Sequence, residues 1–290
     1  MNSPTDADQN GPQPQPPLGF EEDDLVRSDY IRAITIDQIS RNAARGVVGP
    51  VAGSSTIPRT LVRYWHDPSD IPQDVAHCLA TWLPLHDEGV EFRLFGDSAA
   101  RAYISEHFDE RAVAAFDRCH HPAMRSDFFR MCFILADGGL YVDADDVLLG
   151  DGWRQIFDDR RLLLQPLAYD LNVHSMVAME ELLNVDLPTS DKIFYLNNNP
   201  IAAPPNHRAI KRALDRATDT LLRNKSYLEI QSTTGPGNLT ASLAAHARVL
   251  AIAGEPADFN ILLEWYTTSE PFWDLEYRND ARNWRNIGPS

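Results

Sequence analysis

Lysine is nearly missing from this 290-residue chain: Lys192, Lys211 and Lys225 stand against 23 arginines. All cations together number 26 against 42 acids, a formal net charge of −16. A surplus of that sign excludes general nucleic-acid binding, because neutralising phosphates needs a basic surface. Cysteine is scarce as well. Cys78, Cys119 and Cys132 cannot all pair within one chain, and none stands at metal-ligand spacing. They read as buried thiols in a reducing compartment, and a cytoplasmic location is expected. Long apolar runs are absent: the longest unbroken one, residues 131–136, has six residues. A membrane-spanning helix needs about 20, so none is expected. Nor does the N-terminus show a basic region followed by an apolar core, so no secretory signal is expected.

The first 24 residues lack Lys and Arg altogether and hold five prolines (Pro4, Pro12, Pro14, Pro16, Pro17) and six acids. Such a segment cannot bury enough apolar surface to offset its ordering entropy, which predicts a disordered acidic tail over 1–24. Helical spacing of Leu25, Ile31, Ile34 and Ile39, stopped at Gly46, and a Gly/Ser/Pro stretch at 49–58 predict an N-terminal helix and linker over 25–56. At 43% hydrophobic and 9% aromatic the chain can bury a real core, and one folded domain is expected over 57–290.

Beyond the linker, strand and helix patterns alternate. Strands are predicted at 59–65, 91–95, 140–142, 162–165, 193–196 and 249–253. Helices are predicted at 73–82, from the Gly96-Asp97-Ser98 cap to about 107, on to about 118, from Pro122 to Ala136, and at 207–223, with a shorter one after Gly237. That alternation means an α/β fold with a largely parallel sheet.

The chemistry concentrates between residues 123 and 148, AMRSDFFRMCFILADGGLYVDADDVL. Asp143 and Asp145 stand two apart after a short apolar strand, a spacing that puts both side chains on one face. They open into a loop at the strand's end, where ligands of parallel sheets collect. Two hard carboxylates there suit Mg²⁺ or Mn²⁺, with coordination positions left for a substrate diphosphate. On the preceding helix Asp127 and Arg130 stand three apart and share a face. Gly138-Gly139 lets the chain reverse tightly, so the two turns can be brought together.

The run R-S-D-x-x-R followed by D-G-G-L-Y-V-D-A-D resembles the signature of the glycosyltransferases with a DXD sugar-binding region, among them initiating α-1,6-mannosyltransferases, α-1,4-galactosyltransferases and, more distantly, clostridial glucosylating toxins. Ile57-Pro58-Arg59-Thr60-Leu61-Val62-Arg63-Tyr64-Trp65 resembles the family's opening strand, with Arg63 where a His is common. The 198–204 segment with His207, and Thr234-Gly235-Pro236, resemble later pieces. The resemblance implies a GT-A fold, a Rossmann-like nucleotide-sugar half fused to an acceptor half around one mixed, mostly parallel sheet. It also implies a retaining, metal-dependent hexosyl transfer from a nucleotide-sugar, UDP-sugar favoured over GDP-mannose, to a glycan, glycolipid or small-molecule hydroxyl. Carried over, Asp145 binds the metal directly and Asp143 binds it through water while touching the ribose or sugar. Asp127 and Arg130 hold sugar hydroxyls, Trp65 stacks on the base, and Asn198 or Asn199 binds sugar or acceptor hydroxyls.

The C-terminal run Tyr277-Arg278-Asn279-Asp280-Ala281-Arg282-Asn283-Trp284 departs from the family's His strand and Ser-Trp ending. Asp280 is the candidate late metal ligand, Asn283-Trp284 the candidate diphosphate contact, and Trp265, Tyr266 and Trp273 compete as lid residues. Two rival readings stand beside this one. Asp143-Ala144-Asp145-Asp146-Val147 also fits the D-x-D-x-[TV] motif of haloacid-dehalogenase-like phosphatases, and a glycosyltransferase-like domain can serve as a non-catalytic nucleotide-sugar-binding or docking module.

Overall fold

The computed structural model describes residues 23–45, 55–184, 186–223 and 228–286, together with 14, 15 and 17. Most of the tail expected over 1–24, and Gly46 and the linker through residue 54, lie outside the described residues. The strands are β1 (Thr60–Tyr64), β2 (Glu91–Phe95), β3 (Gly139–Tyr141), β4 (Asp146–Leu148), β5 (Leu162–Asp170), β6 (Ser175–Met176), β7 (Lys192–Ala203), β8 (Phe259–Ile261) and β9 (Ser269–Pro271). The helices are α1 (Asp24–Arg45), α2 (Gln73–Thr81), α3 (Pro84–Asp87), α4 (Asp97–His107), α5 (Glu110–Asp117), α6 (Pro122–Ala136), α7 (Met179–Leu182), α8 (Arg208–Arg223), α9 (Ile230–Thr233), α10 (Pro236–Ala253) and α11 (Trp265–Thr268).

Seven strands form one mixed sheet in the order β2-β1-β3-β7-β5-β6, with β8 also paired to β5. β1 pairs parallel with both β2 and β3, and β5 pairs parallel with β8, whereas β7 runs antiparallel to its neighbours β3 and β5. Five strands therefore point one way and β6 and β7 the other. The fold is α/β with a mostly parallel sheet.

Alternation along the strands feeds two cores. In β1, Val62 and Tyr64 face one side with α4, α5, α6, α8 and α10. Leu61 faces the other with Trp82, Leu85, Trp153 and Phe157. α6 is apolar on nearly every face: Met124, Phe128, Phe129, Met131, Cys132, Phe133, Ile134 and Leu135 are all buried. Burying a large apolar side chain contributes about 1.5–3 kcal/mol, so this helix is a fixed strut, and the charged residues it carries are fixed with it. All three cysteines are buried and unpaired, and no helix among the described residues is long and apolar enough to cross a membrane.

Two expected elements come out differently. The strand expected at 249–253 is the last turn of α10, an 18-residue helix. Val249 and Ile252 are β-formers on its exposed face, where nothing competes with the helix that the buried Leu239, Leu243, Ala247 and Leu250 hold in register. The strand expected at 193–196 extends through Asn197-Asn198-Asn199-Pro200 to Ala203. Residues 197–200 are the irregular middle of the strand: β5 pairs with 192–196 and 201–202 and β3 with 201–203, so the pairing on either side carries the strand across them.

α6 ends at Asp137, and Gly138 and Gly139 turn the chain into β3 with φ of 72° and 115°. A Cβ on Gly139 would come 2.8 Å from the Thr60 carbonyl oxygen of the neighbouring strand. Gly139→Ala should therefore lower stability by about 1–3 kcal/mol from the backbone alone, with the clash added. Equilibrium unfolding in urea measures this, and a midpoint equal to wild type would show that the turn tolerates a side chain.

Candidate active site

β3 ends at Tyr141, and Asp143, Ala144 and Asp145 form the turn into β4. β4 pairs with β9, Asp146 opposite Pro271, and the Phe272 N–H donates to the Asp145 carbonyl at 2.8 Å. The C-terminal residues are thus pinned across the acidic turn. Between them, the start of α6 and the middle of β7 lies a cavity of about 530 Å³, a size that suits a small-molecule ligand.

Asp127 and Arg130 form a buried pair at 3.0 Å, not the solvent-exposed helix pair that their spacing also allows. The Arg130 guanidinium also donates to Asp143 Oδ1 at 2.8 Å, to Ser126 Oγ at 3.1 Å and to the Asn198 carbonyl, and it lies 4.3 Å over the Tyr141 ring. Tyr141 donates its hydroxyl to the same Asp143 oxygen at 3.0 Å. Helix, turn and strand β7 are joined through one cation. Burial pushes the Asp127 carboxyl up to about 6, against the pull of Arg130 and with Asp143 adding to the rise.

Asn198 and Asn199 line the cavity, but their amides are committed to the protein. Asn198 donates to Asp127 Oδ1 at 2.8 Å. Asn199 accepts from the Asp143 N–H at 3.0 Å and donates to Asp146 Oδ1 at 3.1 Å. Asn199 holds the acidic turn in place and Asn198 holds Asp127 on α6. Trp65 is only 7% exposed and packs with Val75, Cys78, Ala144 and Leu275. It still lines the cavity, with the Tyr277 ring edge-on at 5.3 Å.

Asp145 is buried, and its Oδ2 accepts from the Tyr277 hydroxyl at 2.5 Å and from the Arg278 guanidinium. Burial and the neighbouring Asp143 push its carboxyl up against the pull of Arg278. Asp146, which the motif did not nominate, is almost wholly buried beneath the turn. Burial, with Asp145 and Asp143 beside it, pushes its carboxyl well above the usual range. Arg63 is 4% exposed and stacks 4.7 Å over Trp82. Among the described residues none of its guanidinium nitrogens has a hydrogen-bond partner. Its charge faces Asp146, Tyr141, Asp145 and Asp143, and burial lowers its pKa to about 10. The residue that stands in place of the resembled family's His is therefore an internal counter-charge.

The donor chemistry of the turn fits a divalent ion. Asp143 and Asp145 are hard oxygen donors, and among the described residues each keeps one carboxylate oxygen that no other side chain claims. Magnesium-like ions bind through one or two carboxylates plus substrate oxygens. A third protein ligand is not brought in: among the described residues no three His, Cys, Asp or Glu converge on a metal position. Asp280, expected there, gives both oxygens to Arg282 at 2.7–3.1 Å and does not line the cavity. Asn283 does line it, but its amide donates to the Arg278 carbonyl at 2.7 Å. The Trp284 side chain lies outside the described residues. Of the lid candidates, Trp265 is a core residue stacked 6.3 Å from Trp82, whereas Trp273, 54% exposed, is on the cavity wall.

Sequence reasoning missed Arg278, Tyr277, Arg282 and Arg285, which all line the cavity. The only signal was an arginine-rich C-terminal run in an acidic chain.

A mixed α/β sheet here carries an Asp127–Arg130–Asp143 network beside an Asp-x-Asp turn at the mouth of a cavity. Residues 72–162 match the family described as "Glycosyltransferase sugar-binding region containing DXD motif". That stretch, about a third of the chain, is similar to the family's sugar-binding region. The match covers α2 through the start of β5 and includes Asp127, Arg130, Asp143 and Asp145. Comparison with curated proteins finds no match. Among solved structures the chain is similar to the PaToxG glycosyltransferase at 15% identity and a TM-score of 0.47, covering 79% of this chain and 84% of that one. It is also similar to the WbbM bifunctional glycosyltransferase in its apo form, at 15% identity and a TM-score of 0.35, covering 75% and 40%. Both likenesses are weak.

The position of Asp127 has a pH consequence. Its folded pKa, about 6, is above the unfolded value, so the ionised form costs stability above pH 6 and that cost is relieved as pH falls toward 4. The ionised form is also the one that pairs with Arg130, and the one suited to the sugar-hydroxyl contact expected of Asp127. Activity should therefore decline as pH drops through about 6 while this local contribution to stability rises. A pH–rate profile flat from 5 to 8 would show that Asp127 does not titrate there.

Proposed function

We propose that this protein is a retaining, metal-dependent hexosyltransferase of GT-A type. It takes its sugar from a nucleotide-sugar, a uridine diphosphate sugar in preference to a guanosine one, and passes it to an acceptor hydroxyl. The observation that carries the reading is the buried Asp127–Arg130–Asp143 network, which opens onto the same cavity as Asp145. Asp127 and Arg130 orient the hydroxyls of the transferring sugar, fixed in place by the immobile helix α6. Asp143 and Asp145 hold a divalent ion, which when bound supplies positive charge to the departing diphosphate. Arg130, already charged and already desolvated, stabilises the negative charge that develops as the glycosidic bond breaks, without reorganising. Trp65 walls the base end of the cavity. The acceptor hydroxyl enters at the face framed by Leu167, Met176 and Tyr195 and attacks on the side from which the diphosphate leaves.

The test is hydrolysis of, or transfer from, UDP- and GDP-hexoses by the purified protein. Activity should vanish with EDTA and return with Mn²⁺ or Mg²⁺. Asp145→Asn should be the most damaging single change, reducing turnover by about 100-fold or more, because it removes a charge while keeping the shape. Asp127→Asn should lower turnover more than nucleotide affinity, since contacts to the transferring sugar act on the transition state. Full turnover by Asp145→Asn in EDTA would sink this mechanism.

A further inference from the structure

Arg278 holds one of the two oxygens of the carboxylate that the proposed ion needs, and sets a positive charge beside the other. Its guanidinium and the Tyr277 hydroxyl share Asp145 Oδ2. An arginine cannot give up its proton, so a dication arriving at Asp145 meets a fixed like charge that has to go elsewhere. The backbone at Arg278 is not free to go with it. Its carbonyl accepts from Asn283 and Asn286, the Glu276 N–H donates to Asp74, and the Ala281 carbonyl meets His121 at the start of α6. Only the side chain can move, and it has a surface to move along. The guanidinium lies 4.2 Å over the ring of Trp273, which is more than half exposed on the cavity wall. The Arg278 Nε is buried with no hydrogen-bond partner among the described residues, so the fork is incompletely used where it stands.

We propose that Arg278 is a diphosphate-binding residue of the donor site, one that pairs with Asp145 until donor and ion arrive and then exchanges Asp145 for the donor's diphosphate as the divalent ion takes the carboxylate. This rests on the glycosyltransferase reading above. The ligand it takes is the diphosphate of a nucleotide, whose paired oxygens match the guanidinium fork. Trp273 carries the guanidinium through the exchange. Arg282 and Arg285 line the same cavity, and Arg285 lies 4.7 Å over the same indole, so the wall toward which Arg278 moves is built for an anion. Ion and diphosphate thereby promote each other's binding, since the diphosphate removes the cation that blocks the ion.

The exchange makes a prediction of opposite signs that a structural role cannot produce. In the full-length protein, R278A should bind Mn²⁺ alone about tenfold more tightly, because Asp145 loses its competitor. The same variant should bind UDP or GDP in saturating Mn²⁺ about tenfold or more weakly, because the charge-assisted contacts to the diphosphate are gone. Mn²⁺ binding is read from the electron paramagnetic resonance signal of the free ion, and nucleotide binding by calorimetry. R278K keeps the charge but not the fork, and should lose nucleotide affinity with Mn²⁺ affinity unchanged. Losses of both affinities together, or changes in neither, would overturn the assignment while leaving the glycosyltransferase reading intact. A wild-type protein that binds neither nucleotide in Mn²⁺ would overturn that reading and this one with it.

Discussion

The Arg130 guanidinium touches three parts of the chain at once, and a cation that cannot lose its proton is buried only where such partners are supplied. Asp127 comes from its own helix, Asp143 from the turn after β3 and the Asn198 carbonyl from β7. Removing one partner from a buried set of this kind costs about 3–5 kcal/mol. The relative placement of α6, β3 and β7 is therefore held electrostatically at the very point where the sheet opens into the cavity. The Gly138-Gly139 reversal, the antiparallel insertion of β7 and the asparagine pair in its middle all serve that one junction.

Much of the scaffold was legible in the sequence because its local signals agree with the tertiary outcome. Pro122 and the Asp137-Gly138-Gly139 stop bracket α6, and the strand at 91–95 and the helix at 207–223 fall where periodicity put them, to within a residue. Where local signals and packing disagree, reading failed. The strand expected to stop at 196 runs on to 203, because β5 and β3 pair with it again at 201–203 beyond an irregular stretch. Val249 to Ala253 read as strand and are helix because the buried face of α10 decides.

The four residues of the DXD block were legible as a group, since their types and spacing carry chemistry on their own. The charges that balance them were not. Arg63 comes from β1 and Arg278 from more than 130 positions along the chain. A counter-charge needs only to be near in space, so no spacing rule announces it. For the same reason Asp280 was a natural guess and the wrong neighbour: its carboxylate is satisfied two residues away by Arg282.

The two sides of the cavity are built from different materials. On the α6 and β7 side Asp127 and Arg130 are buried and shared among several partners, so they hold one arrangement. On the C-terminal side the elements are three-residue β9 and short helical turns, the aromatic wall is half open, and the cation there has a single carboxylate partner. In the transfer proposed above, the sugar has to be held in one orientation through bond cleavage, whereas the diphosphate has to enter with the ion and leave as product. A rigid, over-determined charge serves the first requirement, and one held by a single exchangeable contact serves the second. The asymmetry in packing is thus matched to the opposite demands that the two halves of a donor make on the protein.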